Sequence, residues 1–395
     1  MNVILFDDSS IEHLYPLTLT RPAAELRAGI LTLKEKWQLH LEGEVSHLCA
    51  DHLAGKYPVT YSDDNWFING RVLPDEQLIQ AVRELPKDNC LVSNGVLVAL
   101  RSSAELGLQE LWSPYEGTEV QCDFINRPYD LFSSNDEQIK FDFKAVTKGK
   151  HSQPLSNSNR VTAGDGEIFI EEGARVEGAI LNPNGGCIYV GKEAQIMEGS
   201  LVFGSLAMCQ HSVLKLGSKI YGATTLGPYS KVGGEVNNSI LLGYSNKGHD
   251  GFLGNSVLGE WCNIGADSNN SNLKNNYTEV RIWDYSEGRF TKTGLQFCGL
   301  IMGDHSKCGI NTMFNTGTVI GVSCNIFGSG FPRNYVPSFA WGGSNGFNTY
   351  QLKKALETAE IVMARRNIEL SEADREILGH IFAHTEPYRF WEANQ

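Results

Sequence analysis

The strongest constraint in this chain is a beat of six residues in its C-terminal half. Met302, Cys308, Phe314, Ile320 and Ile326 fall six apart, as do Leu214, Ile220, Leu226 and Val232, and again Phe252, Leu258 and Ile264. Neither the turn of a helix nor the simple alternation of a half-buried strand repeats this way. Glycine often follows the apolar position, as at Val190-Gly191, Leu226-Gly227, Val232-Gly233, Leu258-Gly259, Ile264-Gly265 and Ile320-Gly321. The pattern predicts a parallel β-helix whose short strands stack as coils, with each apolar residue pointing to the coil axis and small residues turning the corners. One coil cannot bury its face alone, so a long stack and self-association are implied.

At 395 residues the chain exceeds what one ordinary core fills, and two or three domains are expected. A hydrophobic content of 41% with 20% charged residues is that of a soluble globular protein. The formal net charge of -13 argues against nucleic acid or an anionic membrane as partner, so a phosphate-bearing substrate needs a local basic pocket. Nine cysteines lack any CxxC spacing, and the odd count suits free thiols in a reducing cytoplasm. The opening run Met1 to Phe6 is cut off by Asp7 and Asp8 and lacks the basic flank and length of a signal peptide. No apolar stretch approaches the ~20 residues of a membrane span.

Residues 1–150 read as mixed α/β: a buried strand at Val3 to Phe6, helices near Ile30 to Leu41 and Glu76 to Leu85, and a strand from Cys90 to Leu100. Between Lys144 and Arg160 the sequence turns polar and predicts a linker. The repeat array occupies 160–335. Asp267 to Phe297 interrupts the beat, and an insertion of that length inside a compact repeat suggests function. A helical segment, 345–395, closes the chain: Tyr350, Leu352, Leu356 and Ala359 share a face, and Ser371 with Asp374 forms an N-cap pattern before Ile377, Leu378, Ile381 and Phe382. These helices are expected to cap the solenoid or dock on it.

The densest polar cluster is Ser245-Asn246-Lys247-Gly248-His249-Asp250, followed by Asn263, Asn269, Asn270, Asn272, Lys274, Asn275 and Asn276. An imidazole at a glycine-flanked corner can take a proton from an amine or hydroxyl, and amides with a lysine nearby can hold a sugar phosphate. The same residues have a plainer reading: a solvated histidine, and asparagines that tolerate left-handed corners. A zinc site at His211, His249 and His305 is a further reading, but no two of these stand at a spacing that sets them on neighbouring corners. Cys298 and Cys308 sit at repeat positions that suit the coil interior. Near the N-terminus, Leu14-Tyr15-Pro16-Leu17-Thr18-Leu19-Thr20-Arg21-Pro22 is either a turn before a helix, with Arg21 and Arg27 exposed, or a loop offering those cations to a nucleotide or sugar phosphate.

The stretch from Gly248-His249-Asp250-Gly251 through Cys262-Asn263-Ile264-Gly265-Ala266 to Ser271-Asn272-Leu273-Lys274 resembles the acetyltransferase domain of the GlmU-like bifunctional enzymes, which acetylate glucosamine 1-phosphate and couple the product to UTP. Ile301-Met302-Gly303-Asp304-His305 and Gly309-Ile310-Asn311-Thr312 look like that family's next coil, and the form of Tyr244 to Lys274 is similar to a branch found in Bacteroidetes. The resemblance implies a left-handed parallel β-helix, a homotrimer with its site shared across the interface, and acetyl-CoA as co-substrate. It places His249 as general base and backbone N–H groups near Ala266 as oxyanion donors. Lys219, Glu235, Asn263 and Asn272 fall at sugar, phosphate or acetyl contacts, and Ala266, Ile310 and Gly328 line the coenzyme groove. Asn237 stands where the family has a phosphate-binding lysine, a charge that Lys247 or Lys274 could restore. Phe252 and Leu273 each replace a tyrosine.

Pro16-Leu17-Thr18-Leu19-Thr20-Arg21-Pro22 is similar to the signature of sugar-1-phosphate nucleotidyltransferases, a Rossmann-like α/β domain in which magnesium neutralises the phosphates. Here the glycine-rich loop is replaced by Asp7-Asp8-Ser9-Ser10-Ile11-Glu12, the family's arginine by His13 and its lysine by Ala23. Acids in place of glycine amides repel a triphosphate, so either the site is rebuilt around Arg21 and Arg27 or the domain no longer transfers nucleotides. Three functions are therefore carried forward: a two-activity sugar-phosphate enzyme, an enzyme with one of the two activities, and a noncatalytic trimeric scaffold that binds a sugar nucleotide.

Overall fold

The computed structural model describes residues 1–162 and 164–392; the end of the expected helical segment, 393–395, lies outside the described residues. The repeat region is a parallel β-helix. Ile188 pairs with Leu206 and Leu206 with Thr224, a coil of eighteen residues that is three hexads long. Stacking builds one sheet of nine strands, from Glu167–Ile170 to Tyr335–Val336, and two shorter faces beside it. The apolar positions of the beat form one continuous column: Leu214, Leu226, Val232, Leu258, Met302 and Ile320 are buried together inside the coils. Phe252 departs from the expectation, because in the strand Phe252–Gly254 it is Leu253 that enters the core. Inward Lys247 and Leu253 keep the step of six across the Gly251 corner, and the shift falls between Leu253 and Leu258, five apart over the left-handed corner at Asn255 (φ 47°).

The clustered asparagines do not turn left-handed corners: none of Asn246, Asn263, Asn269, Asn270, Asn272, Asn275 and Asn276 has positive φ, and the solenoid corners held by asparagine are at Asn238, Asn255 and Asn311. A second corner is aromatic instead. His211, Tyr229, Tyr244, Trp261 and His305 all have positive φ, and their rings stack from coil to coil at centroid distances of 4.6, 5.2, 4.3 and 6.3 Å. Neighbouring coils thus compensate the cost of the backbone conformation by ring stacking. His211 and His305 belong to this ladder and His249 to another corner, so within one chain the three histidines do not meet, and no group of three metal-ligating side chains occurs among the described residues of that chain. Burial pushes the His305 imidazole down to about 3.

The first domain is a six-stranded sheet in the order Glu44–Leu48, Asn2–Phe6, Asn65–Asn69, Val96–Ser102, Cys90–Ser93, Thr118–Glu119. The helix expected near Ile30 to Leu41 runs Leu33–Leu41 behind a Thr32/Glu35 capping box. Cys90 to Leu100, expected as one strand, is a hairpin: Asn94 (φ 50°) and Gly95 (φ 79°) form the tight turn that an Asn-Gly pair favours. The chain expected as linker from Lys144 is helical to Thr147, the end of the helix Pro128–Thr147. This helix braces the two domains: Asn135 accepts from the Gly29 amide and donates to the Ala223 carbonyl. Asp142 in the same helix accepts from the Ile30 and Leu31 amides and from buried Lys36.

The first domain lies against the nine-stranded sheet, where Leu14, Leu17 and Leu26 pack on Ile240, Val257 and Ile301. The 267–297 insertion supplies the strap. Its hairpin, Arg281–Asp284 with Arg289–Lys292, puts Val280, Ile282 and Tyr285 into the same cluster. Buried Asp284 binds the His13 ring at 3.1 Å and Arg127 at 3.4 Å. The helices Leu352–Ala364 and Glu372–His384 dock on the side of the solenoid, burying Ala359, Met363 and Ile377 against Trp261, Phe339 and, in the first domain, Leu53. The expected Ser371/Asp374 capping box is present.

At the centre of this three-way junction, the Asp304 carboxylate accepts from Thr20 Oγ1 (2.9 Å), the Glu260 amide (2.9 Å) and the Arg21 guanidinium, which also pairs with Glu260 at 3.2 Å. Arg21 and Asp304 are both 4% exposed. Asp304→Ala is therefore expected to lower the unfolding free energy by up to about 3–5 kcal/mol, because it leaves the buried guanidinium with the part-exposed Glu260 as its remaining carboxylate. Arg21→Met combined with Asp304→Leu should lose much less; denaturant titration of the three proteins checks both.

Candidate functional site

His249 stands at the corner between the strands Asn246–Lys247 and Phe252–Gly254. Lys247, expected to hold substrate, points the other way. It is 1% exposed, inside the coil, and its Nζ donates to the Gly233 carbonyl (3.0 Å) and to the His249 carbonyl. Desolvation pushes this amine down to about 8, and what it does is fix the backbone that presents His249. The His249 ring is exposed and makes no hydrogen bond to a protein group among the described residues.

The ring faces a cleft of about 580 Å³ between the solenoid and the helix Leu352–Ala364. Asn263, Ala266 and Ile310 join His249 there, and Tyr244 and Trp261 of the aromatic ladder are also in its lining. Four cations share the space: Lys215 and Lys231 from the coils, Arg365 and Arg366 from the end of the helix. No carboxylate lines it, and none of the four has an ion pair among the described residues. Arg366 is held by the Tyr229 carbonyl at 3.3 Å. Burial lowers the pKa of the Lys231 amine, helped by Arg366, Lys215 and Arg365. In a chain of net charge -13, an uncompensated cationic cleft is what a polyanion needs. Sequence reading missed these four; the only local signal was the Arg-Arg pair ending an amphipathic helix.

The other expected residues lie elsewhere. Lys219, Glu235 and Asn237 stand on the adjoining face, where Lys219 pairs in register with Glu235 and Glu235 accepts from the Tyr221 hydroxyl at 2.6 Å. Glu235 is also in register with Phe252, just past the His249 corner. Asn272 donates to Asn255 at 2.7 Å, and Gly328 does not line the cleft. Lys274 donates to the Glu279 carbonyl and lines a separate cleft.

The N-terminal loop is occupied by its own structure. Arg21 and Arg27, expected as free cations, are both buried: Arg21 on Asp304 and Glu260, Arg27 on the Ile30 carbonyl and Glu35. Ala23 donates its amide to Asp7, whose carboxyl burial pushes up to about 7. Asp8 is desolvated too, yet a two-pronged bond from Arg71 and a further one from Asn69 hold it below the usual carboxylate range. A protonatable acid and a fully bonded one do not fit magnesium, which asks for free anionic oxygens.

Residues 3–151 match the family model described as sugar nucleotidyl transferase. The chain is 25% identical over 160 residues to a bifunctional sugar-1-phosphate nucleotidylyltransferase/acetyltransferase of Sulfurisphaera tokodaii, covering 40% of this chain and 37% of that one. It is 32% identical over 92 residues to the bifunctional protein GlmU of Methanocaldococcus jannaschii, covering 23% and 22%. The matches thus span well under half the length of either relative. An Arabidopsis UDP-N-acetylglucosamine acyltransferase overlaps 54% of this chain and 80% of its own at 12% identity, with a TM-score of 0.24, too loose a superposition to bear on the site. The GlmU-like resemblance read from the sequence holds at a distance: a sugar nucleotidyltransferase-type domain precedes a hexapeptide β-helix.

The interior lysine has a measurable signature. Between about pH 8, where folded Lys247 loses its proton, and 10.5, the ordinary value, the unfolded chain binds the proton more tightly, so stability rises with pH. Wild-type protein should therefore gain unfolding free energy relative to Lys247→Met across that window, read from denaturant titrations at matched pH.

Proposed function

We propose that the His249 cleft is an acyl-transfer site, with acetyl-CoA as donor and a 2-amino sugar 1-phosphate, glucosamine 1-phosphate first among them, as acceptor. The observation that carries this reading is the meeting of an unbonded imidazole with four unpaired cations in one cleft. The coenzyme brings the phosphates that Lys215, Lys231, Arg365 and Arg366 are placed to neutralise. His249 takes a proton from the amine as its nitrogen attacks the thioester carbonyl. The N–C bond forms, the backbone N–H at Ala266 steadies the oxyanion, and the C–S bond breaks with release of the thiol. Asn263 holds the acceptor beside the ring.

Lys219, Glu235 and Asn237 enter the site from a second subunit of a homotrimer. Supporting this, their face carries an exposed apolar row, Ile180, Leu201, Phe203 and Tyr221, of the kind that self-association covers. The first domain keeps the nucleotidyltransferase fold without transferring nucleotides, because Arg21 and Arg27, the cations a triphosphate would need, are buried on Asp304, Glu260 and Glu35, and the loop before them offers acids. Nine unpaired cysteines suit a reducing cytoplasm, and no helix among the described residues is long and apolar enough to cross a membrane.

His249→Ala should keep the oligomer, seen by sedimentation, and lose roughly 10²–10⁴-fold in acetyl transfer. Thiol release from acetyl-CoA with glucosamine 1-phosphate is the assay; unchanged turnover removes His249 from the mechanism, and no turnover in wild type favours the scaffold reading. Arg365→Gln with Arg366→Gln should raise KM for acetyl-CoA about tenfold or more and change kcat little, as loss of uniform binding does. With UTP or dTTP, a sugar 1-phosphate and magnesium, the protein should release no pyrophosphate; release would reinstate the second activity.

A further inference from the structure

A second cleft, of about 880 Å³, opens where the inserted hairpin, the last solenoid strands and the C-terminal segment meet, and it shares no lining residue with the His249 cleft. Its walls are aromatic. Trp283 stacks on Tyr335 with centroids 4.2 Å apart and planes 8° apart, Phe290 stands edge-on to Trp283 at 5.5 Å, and the Arg333 guanidinium lies 4.3 Å over the Phe390 ring. Its charge is wholly positive. Lys274, Arg281 and Arg333 line it, none of them ion-paired among the described residues, and no carboxylate lines it. Glu279, on the same segment, is engaged by Lys292 at 3.4 Å and by the Gly294 amide. Two polar atoms of its lining residues are unused: the Trp283 indole Nε1 and the Tyr335 hydroxyl have no hydrogen-bond partner among the described residues.

We propose that this cleft binds a nucleoside phosphate, the base against the exposed aromatic rings and the phosphates on Arg281, Arg333 and Lys274. Either half of such a ligand alone fits worse. An apolar occupant would desolvate three cations without compensation, and an inorganic anion would leave the rings in water. The cations come from the insertion and from the end of the solenoid, so an occupant would bridge the strap and the coils it leans on.

Titration calorimetry of the full chain with UDP and with inorganic pyrophosphate tests the proposal. Arg281→Gln with Arg333→Gln, and separately Phe290→Ala, alter exposed side chains. Each should weaken UDP at least tenfold, whereas pyrophosphate should respond to the arginine pair alone. Arg365→Gln with Arg366→Gln, which impairs the other cleft, should leave UDP binding intact and so separates this site from the acyl-transfer reading. UDP binding indifferent to Arg281 and Arg333 overturns the proposal, as does pyrophosphate binding as tightly as UDP, which would mark a plain anion site. A change in sedimentation on mutating Arg281 and Arg333 would assign the cleft to a subunit contact and overturn it equally.

Discussion

The architecture turns on a buried ion pair between Arg21 of the first domain and Asp304 of the solenoid. Taking both charges out of water is costly, and the pair offsets that cost only because the remaining capacity of Asp304 is filled by the Thr20 hydroxyl and the Glu260 amide. What it contributes most is register. Few other placements of the first domain satisfy both charges, so Leu14, Leu17 and Leu26 are set on the nine-stranded sheet. The same pair removes Arg21 from any encounter with a ligand. A sequence that resembles a nucleotide loop has become the seam between two domains.

The solenoid makes this seam possible. Each coil's backbone groups bond to the coils above and below, so anything added must leave the stack at a corner and return in register. The insertion after Asp267 does so: Val257 pairs with Ile301 as if the intervening hairpin were absent. Freed from the coil core, the hairpin straps the first domain and walls the second cleft. The C-terminal helices follow the same logic at the aromatic corner, where the ring ladder gives Ala359 and Met363 an apolar bed. That docking carries Arg365 and Arg366 to the cleft opposite Lys215 and Lys231.

Much of this was legible locally. The hexad beat reports an inward-facing column, the Ser371/Asp374 spacing reports a helix start, and the glycines around His249 report a corner. Phase was harder to read: Phe252 is six before Leu258 in sequence, but the Asn255 corner between them is one residue short, so Leu253 is the interior side chain. Lys247 was misread for a related reason. Lysine in a polar cluster suggests solvent, yet its place in the strand sets it inward, where two carbonyls satisfy it. The Asn94-Gly95 turn was in plain view and was passed over within an apolar run.

The sequence by itself determined the coil, its interior, the helix caps and the corner that carries His249, because each depends on residues within a turn or two of one another. Only the tertiary structure decided which charges meet. Arg21 faces Asp304, His13 faces Asp284, and Arg365 faces Lys231 across a cleft, through contacts between segments far apart in the chain. Periodicity fixes which way a side chain points within its own element; the partner waiting there depends on how whole elements dock, and that is settled by the summed burial of faces that no local spacing encodes.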